Sequence, residues 1–189
     1  MPVTIWETNP ISVWVFEKGG FMRKNVKLYN VLFPIWMLVL FPLTWLIVLP
    51  GNFIIDFTVV ALTMRFLKLP DIIKTTKAVI IRVWLMGFVA DFIGTAGMLL
   101  SNFLDSWVDT DFTYDLMFAV NYNPFESIWG FLWVTTCVVI TAILIYVFNY
   151  KWCLKNGRFD KTERKKIALS LAIFTAPYLF YLPSMIFYQ

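Results

Sequence analysis

The chain has 189 residues, of which 60% are apolar and only 15% are charged, and its mean hydropathy is +0.72. A soluble domain of this length needs more charge to cover its surface, so the composition indicates a protein that lies in a lipid bilayer. The net charge of +4 is sorted along the chain by membrane side, and no nucleic-acid-reading motif accompanies it. We therefore expect no nucleic acid as a partner.

Catalytic and metal chemistry are not expected either. The sequence contains no histidine, the commonest general acid–base and metal ligand. Cys137 and Cys153 are sixteen residues apart, about 24 Å along a helix, which is too far for a disulfide, so they are interpreted as small apolar fillers. The prediction is a protein that is not an enzyme, with no catalytic residue, no metal site and no cofactor.

Residues 1–30 mix apolar and polar side chains without the pattern of a cleaved signal peptide. Trp6 and Trp14 are the side chains best suited to the boundary between lipid and water. We expect this segment to be cytoplasmic and to lie at the membrane interface.

The remainder, residues 31–189, is predicted to be a transmembrane bundle. Residues 28–55 carry no charge, which is more than one span needs, because about 20 residues cross the hydrocarbon. Pro50-Gly51-Asn52 divides this run and is predicted to form a turn, with Asn52 capping the next helix. The sequence thus predicts an all-α membrane protein of about five transmembrane helices, at residues 31–49, 53–69, 78–100, 127–150 and 167–188.

The charges predict an orientation. Four of the sixteen Lys and Arg precede the first predicted helix, five surround the connection between the second and third, and seven occupy the loop 151–166. In the five-helix scheme these places share one side, while the outer loop 105–126 carries five acidic residues and no basic one. Since Lys and Arg mark the cytoplasmic side, the N-terminus is expected inside and the C-terminus outside, in a plasma membrane or, as the alternative, an organellar one. A four-helix scheme with residues 53–69 re-entrant would put three lysines outside, against this rule.

Four ionisable residues fall inside predicted helices, namely Asp56, Arg65, Arg82 and Asp91. Charges at membrane depth are costly and often functional. In a hairpin turning near residues 73–74, Asp56 would lie level with Asp91. Two facing carboxylates repel, so one would hold its proton or both would bind a cation, and this predicts a proton or cation site. In the alternative, the helix dipole accommodates Asp56, the arginines snorkel to the boundary, and only Asp91 is deep.

Small residues recur at three- and four-residue steps around Asp91, namely Gly87, Ala90, Gly94 and Gly97. Small residues let helices approach closely in lipid. The favoured interpretation is a helix-packing stripe with Asp91 hydrogen-bonded across it, and the functional alternative is a narrow polar path.

Prolines at positions 34 and 42, and at 177 and 183, are expected to kink the first and fifth helices and to free carbonyls one turn back. Transporters use such breaks at binding sites, although membrane helices tolerate proline in general.

Two functions follow from these features. The first is a non-catalytic subunit of a larger transport, secretion or respiratory assembly, whose partners are lipid and other membrane subunits or further copies of itself. The small size, the stripe and the aromatic outer loop favour it. The second is a small proton- or cation-dependent transporter or channel centred on Asp91.

Overall fold

A computed structural model describes residues 11–17, 20–26, 42–108, 110–155, 157 and 159–184. The chain divides into two compact units, Met1–Leu32 and Phe33–Gln189. Most of the first predicted helix, together with Trp6 and Pro34, lies outside the described residues.

The first unit contains an antiparallel β-hairpin. Strand β1, Ile11–Glu17, pairs along its whole length with strand β2, Gly20–Val26. This hairpin differs from the prediction for residues 1–30, which treated them only as an interfacial segment. The described elements of the second unit are all helices, as the all-α prediction states. β-Branched residues at every second position, Ile11, Val13 and Val15, favour a strand, and two residues between the strands suffice for a hairpin turn.

Helix α1, Pro42–Phe66, corrects the predicted turn at Pro50-Gly51-Asn52, because it runs through Pro50 without interruption. Proline removes one hydrogen bond from a helix, whereas a turn in lipid would expose several backbone groups. Next to the proline, the Trp84 indole N–H donates to the Leu49 carbonyl at 3.0 Å, which ties this stretch of α1 to the neighbouring helix.

The connection after α1 contains a residue in the left-handed backbone conformation, which is usually adopted by glycine. Lys68 has φ 55°, its N–H donates to the Arg65 carbonyl, and the Leu69 N–H donates to the Met64 carbonyl. These paired bonds form a Schellman motif, which ends α1 and is followed by Pro70. The predicted second helix, residues 53–69, is therefore the later part of α1.

Helix α2, Ile72–Val108, extends beyond the predicted residues 78–100 at both ends. Its 37 residues correspond to about 55 Å, well beyond the hydrocarbon thickness. Helix α3, Asp111–Tyr122, occupies much of the predicted outer loop, and a reciprocal capping box between Thr110 and Thr113 starts it. A 3₁₀ turn, Pro124–Glu126, follows.

Helix α4, Ile128–Phe148, lies near its predicted bounds and continues as a π-helical turn, Asn149–Cys153. Helix α5, Lys161–Phe174, differs from the predicted residues 167–188. It starts earlier because Asp160 and Glu163 form a capping box inside the predicted basic loop.

In the second unit, α1, α2, α4 and α5 form a ring: α1 packs on α2 and α5, and α4 packs on the same two helices. Helix α3 packs on α2 and α4. One apolar core joins the four helices around residues such as Met64, Val83 and Leu171. A second core joins α2, α3 and α4 to residues 176 and 180.

Three helices of the described chain are long and apolar enough to cross a membrane, Leu46–Phe66, Ile72–Val108 and Ile128–Cys153. Large apolar side chains such as Ile47, Ile81 and Ile143 are mostly exposed on them, as lipid contact requires. A helical membrane protein is thus confirmed in its coarse form. The count of five spans and the orientation stay predictions, since the first predicted helix falls largely outside the described residues and α5 has only 14 residues.

Candidate cation site

The two acidic residues singled out in the sequence line one cavity. It has a volume of about 590 Å³ and lies between α1, α2 and the chain that follows α5. Asp56 enters it from α1 and Asp91 from α2. The other lining side chains are mostly aliphatic or aromatic, including Val48, Ile55, Trp84, Phe88, Phe125, Phe174 and Leu179.

Asp56 lies against the glycine one helical turn before Asp91. Asp56 is only 6% exposed, and a Cβ atom placed on Gly87 would lie 3.7 Å from Asp56 Oδ2. The charge of Asp56 acts on the Asp91 carboxyl group. The predicted pairing is shifted by about one turn, since Asp56 lies level with Gly87 rather than Asp91. The reason is that the connection closes at residues 67–71, before the predicted 73–74.

Asp91 has a buried oxygen without a partner. Within the described part of the chain, Asp91 Oδ1 accepts no hydrogen bond, and the same holds for Thr95 Oγ1, one turn further along α2. Leaving a buried polar group unpaired costs about 1–3 kcal/mol, and more for a charged group. A carboxyl group held only for packing would be expected to have a partner.

The intramembrane arginines do not complete this site. Arg65 and Arg82 are both exposed, as expected of side chains that reach toward a membrane boundary. The described lining of the cavity contains no Lys or Arg. The two acids therefore share a cavity without a basic side chain on its walls.

The end of α5 and the residues after it line the same cavity as the two acids. Pro177 has no N–H for the Ile173 carbonyl, one turn back, and the Tyr178 hydroxyl donates to that carbonyl instead, at 2.6 Å. The predicted freed carbonyl is thus present, but α5 ends at Phe174 rather than bending. A 3₁₀ turn, Tyr178–Tyr181, carries the chain onward along the cavity.

The small residues of α2 divide between two neighbours. Gly87 faces Asp56, whereas Gly94 and Gly97 face α4, where added Cβ atoms would collide with Thr141 Oγ1 and come within 3.0 Å of Cys137 Sγ. The indole N–H of Trp133, on α4, also donates to the Gly97 carbonyl at 3.2 Å.

The fourth stripe residue, Ala90, is fully buried in the core. Gly94, Gly97 and Ala90 therefore lie at packed positions of α2, and the interpretation of all four residues as a helix-packing stripe stays a prediction. However, the described residues give Asp91 no hydrogen bond across it.

Sequence reasoning missed Tyr178, which lines the cavity, and Thr95, a buried residue one helical turn from Asp91. Thr95 follows Asp91 by four residues, which places both on one helix face, and this spacing could have signalled it. The Tyr178 hydroxyl donates to the Ile173 carbonyl, which lacks a helical partner because Pro177 has no N–H. The position of Tyr178 directly after a proline could have indicated this role.

Comparison of the chain with known protein families, with characterised proteins and with solved structures finds no match.

Proposed function

We propose that this protein is a small membrane carrier that binds a proton or cation at Asp56 and Asp91. The observation that carries the proposal is that Asp91, which shares a cavity with a second carboxyl group, has an Oδ1 atom without a hydrogen-bond partner among the described residues. A proton or cation bound there would remove the cost of the unpaired buried oxygen and the repulsion between the acids.

The end of α5 supports the same function. Non-helical backbone at membrane depth is tolerated where it lines a cavity, and transporters place breaks in helices at their binding sites. Residues 175–183 line the same cavity as Asp56 and Asp91, and they lie after α5, in a 3₁₀ turn and its flanks.

Ion flux in liposomes tests this function. The purified protein is reconstituted with a pH-sensitive dye inside, and proton movement is followed after a Na⁺ or K⁺ gradient or a membrane potential is imposed. We expect flux above that of protein-free liposomes, and we expect Asp91→Asn and Asp56→Asn to abolish it, because neither amide binds a proton or cation in the same way.

The matched control is Asp115→Asn, which makes the same chemical change at an exposed position on α3 and should leave the flux unchanged. Equal flux from the wild-type protein and Asp91→Asn would contradict the proposal. So would wild-type liposomes that behave like protein-free ones under every gradient.

A second candidate is a subunit of a larger membrane assembly. Trp107, near the end of the long helix α2, is 86% exposed, and Phe112 and Trp129 are exposed nearby. Aromatic side chains are enriched at protein interfaces, and α2 is long enough to present Trp107 beyond the hydrocarbon. Purification in a mild detergent tests this candidate: partners that co-purify with the wild-type protein but not with Trp107→Ala would support it.

For the orientation we propose that the basic end of the bundle faces the cytoplasm of a plasma membrane. The Cys153 thiol donates to the Arg82 carbonyl, which brings the α1–α2 connection and the α4–α5 loop to the same end. The side of the N-terminus depends on residues 31–41, outside the described chain. Reporter fusions at residue 157 and at both termini test each position separately.

A further inference from the structure

The walls of the cavity point to the class of ligand that the carboxyl groups would hold. Its volume of about 590 Å³ is in the range of sites for small organic molecules, and is far larger than a proton or a bare metal ion requires. Most of its surface comes from aliphatic and aromatic side chains. The ligand that fits such walls has a large apolar body.

The polar groups restrict the charge of that ligand. Asp56 and Asp91 stand on the α1–α2 side, and Asp91 Oδ1 lacks a partner within the described residues. An anion would be repelled, and a neutral apolar molecule would leave the negative charge of the two acids without a counter-charge. A ligand with a positive charge is attracted to the acids and supplies this counter-charge.

Aromatic rings provide a second contact for a cation. Trp84 and Phe88 line the cavity from α2, the helix that carries Asp91. Phe125 and Tyr181 also line it. Ring faces attract organic cations, most strongly where water is excluded. Inorganic cations instead require a shell of several oxygen ligands, whereas these walls are mainly carbon.

We propose that the cavity binds a lipophilic organic cation, such as an aryl phosphonium or a hydrophobic aromatic amine. This inference rests on the proposed function, because it takes Asp56 and Asp91 as the cation site. Tyr178 and Leu179 line the cavity and are 55% and 66% exposed, so the cavity reaches the apolar surface of the bundle. A lipophilic cation that has partitioned into the membrane enters by this route.

Binding of two ions of matched shape and opposite charge tests the ligand class. Tetraphenylphosphonium and tetraphenylborate are titrated into the protein in lipid nanodiscs, with empty nanodiscs subtracted. We expect saturable binding of the phosphonium and none of the borate. Asp91→Asn and Asp56→Asn should each weaken phosphonium binding by about tenfold or more, because each removes a negative charge that attracts the phosphonium. Asp115→Asn should bind like the wild-type protein.

A cavity-filling variant keeps the inference testable if the Asp variants misfold. Gly87→Leu would place a large side chain over Asp56 Oδ2 while both carboxyl groups remain. It should also lose phosphonium binding. Equal binding of the two ions, or phosphonium binding unchanged in Gly87→Leu and in whichever Asp variants fold, would overturn the inference.

The liposome assay separates this inference from the proposed function. Asp91-dependent flux of protons or inorganic cations without phosphonium binding would overturn the ligand class and leave the carrier proposal standing. Phosphonium binding at Asp91 without any flux would overturn the carrier proposal and leave the ligand class standing.

Discussion

The two faces of α2 differ although they belong to one helix. Toward α4, Gly94 and Gly97 lie in close contact with Thr141 and Cys137, and no room for a further methyl group remains at Gly94. Toward α1 and residues 174–183, the same helix borders a cavity and carries a buried carboxyl oxygen that has no hydrogen-bond partner in the described part of the chain.

This difference shows how a small membrane protein can combine rigidity with a binding site. Packing provides much of the stability of helices in lipid, so the α2–α4 contact holds α2 in place. The opposite face is then free to keep a costly carboxyl group and an unfilled volume. Stability should therefore be sensitive to changes on one face, and ligand binding to changes on the other.

The largest effect is expected from methyl groups added to the packed face. Gly94→Ala should lower the free energy of unfolding by about 1–3 kcal/mol because its Cβ overlaps Thr141 Oγ1. Gly97→Ala should cost less, since the Cys137 sulfur can move. Gly87→Ala and Gly51→Ala should not destabilise, as their Cβ atoms meet only ordinary contact or open space. Thermal unfolding in detergent measures all four.

A paired substitution tests the cause. Thr141→Ala removes the oxygen that Gly94→Ala would strike, so the double variant should recover part of the loss. If Gly94→Ala is as stable as Gly51→Ala, the two faces do not differ in the way described.

The next effect concerns the broken end of α5. Tyr178→Phe removes the hydroxyl that satisfies the Ile173 carbonyl and should cost about 1 kcal/mol or somewhat more. Tyr146→Phe is the control, because it removes a hydroxyl for which the described residues show no hydrogen bond. The double variant Pro177→Ala/Tyr178→Phe should lose less stability than Tyr178→Phe, because alanine provides an N–H for the Ile173 carbonyl. Equal losses of stability in the two variants would contradict this account.

A smaller effect, of opposite sign, is expected in the α1–α2 connection. Lys68→Gly relieves a left-handed conformation and should stabilise the protein by at most about 1 kcal/mol, since the flexibility of glycine in the unfolded chain offsets part of the gain. Lys68→Ala keeps the strain and should show no gain. An equal gain in both variants would mean that the lysine side chain, rather than its backbone, is unfavourable.

The smallest stability change is expected at the cavity itself. Asp91→Asn should leave the melting temperature unchanged or raise it, because it replaces an unpaired carboxyl group with a neutral amide. A clear loss of stability would instead favour the packing interpretation of Asp91. Together with lost flux, an unchanged melting temperature would separate function from structure at this residue.

Much of the site could be predicted from the sequence. Asp56 and Asp91 stand out because charges are rare within apolar segments, and the stripe around Asp91 follows from helical spacing. The predicted level of Asp56 relative to Asp91 in the α1–α2 hairpin was wrong by about one helical turn. The helix ends earlier than predicted because Lys68 adopts a left-handed conformation, which is usual for glycine. The cavity was not predictable, since it depends on where α5 ends.

By itself the sequence determined that this protein is apolar, helical and suited to a membrane, because composition and the length of uncharged segments decide these properties. Only the tertiary structure decided what each proline does. At Pro50 the helix continues beside Trp84, whereas at Pro177 it ends, where Ala176 and Phe180 pack into the second core and the Tyr178 hydroxyl takes the free carbonyl. The cost of a missing N–H is similar at both prolines, so the neighbouring side chains determine the outcome.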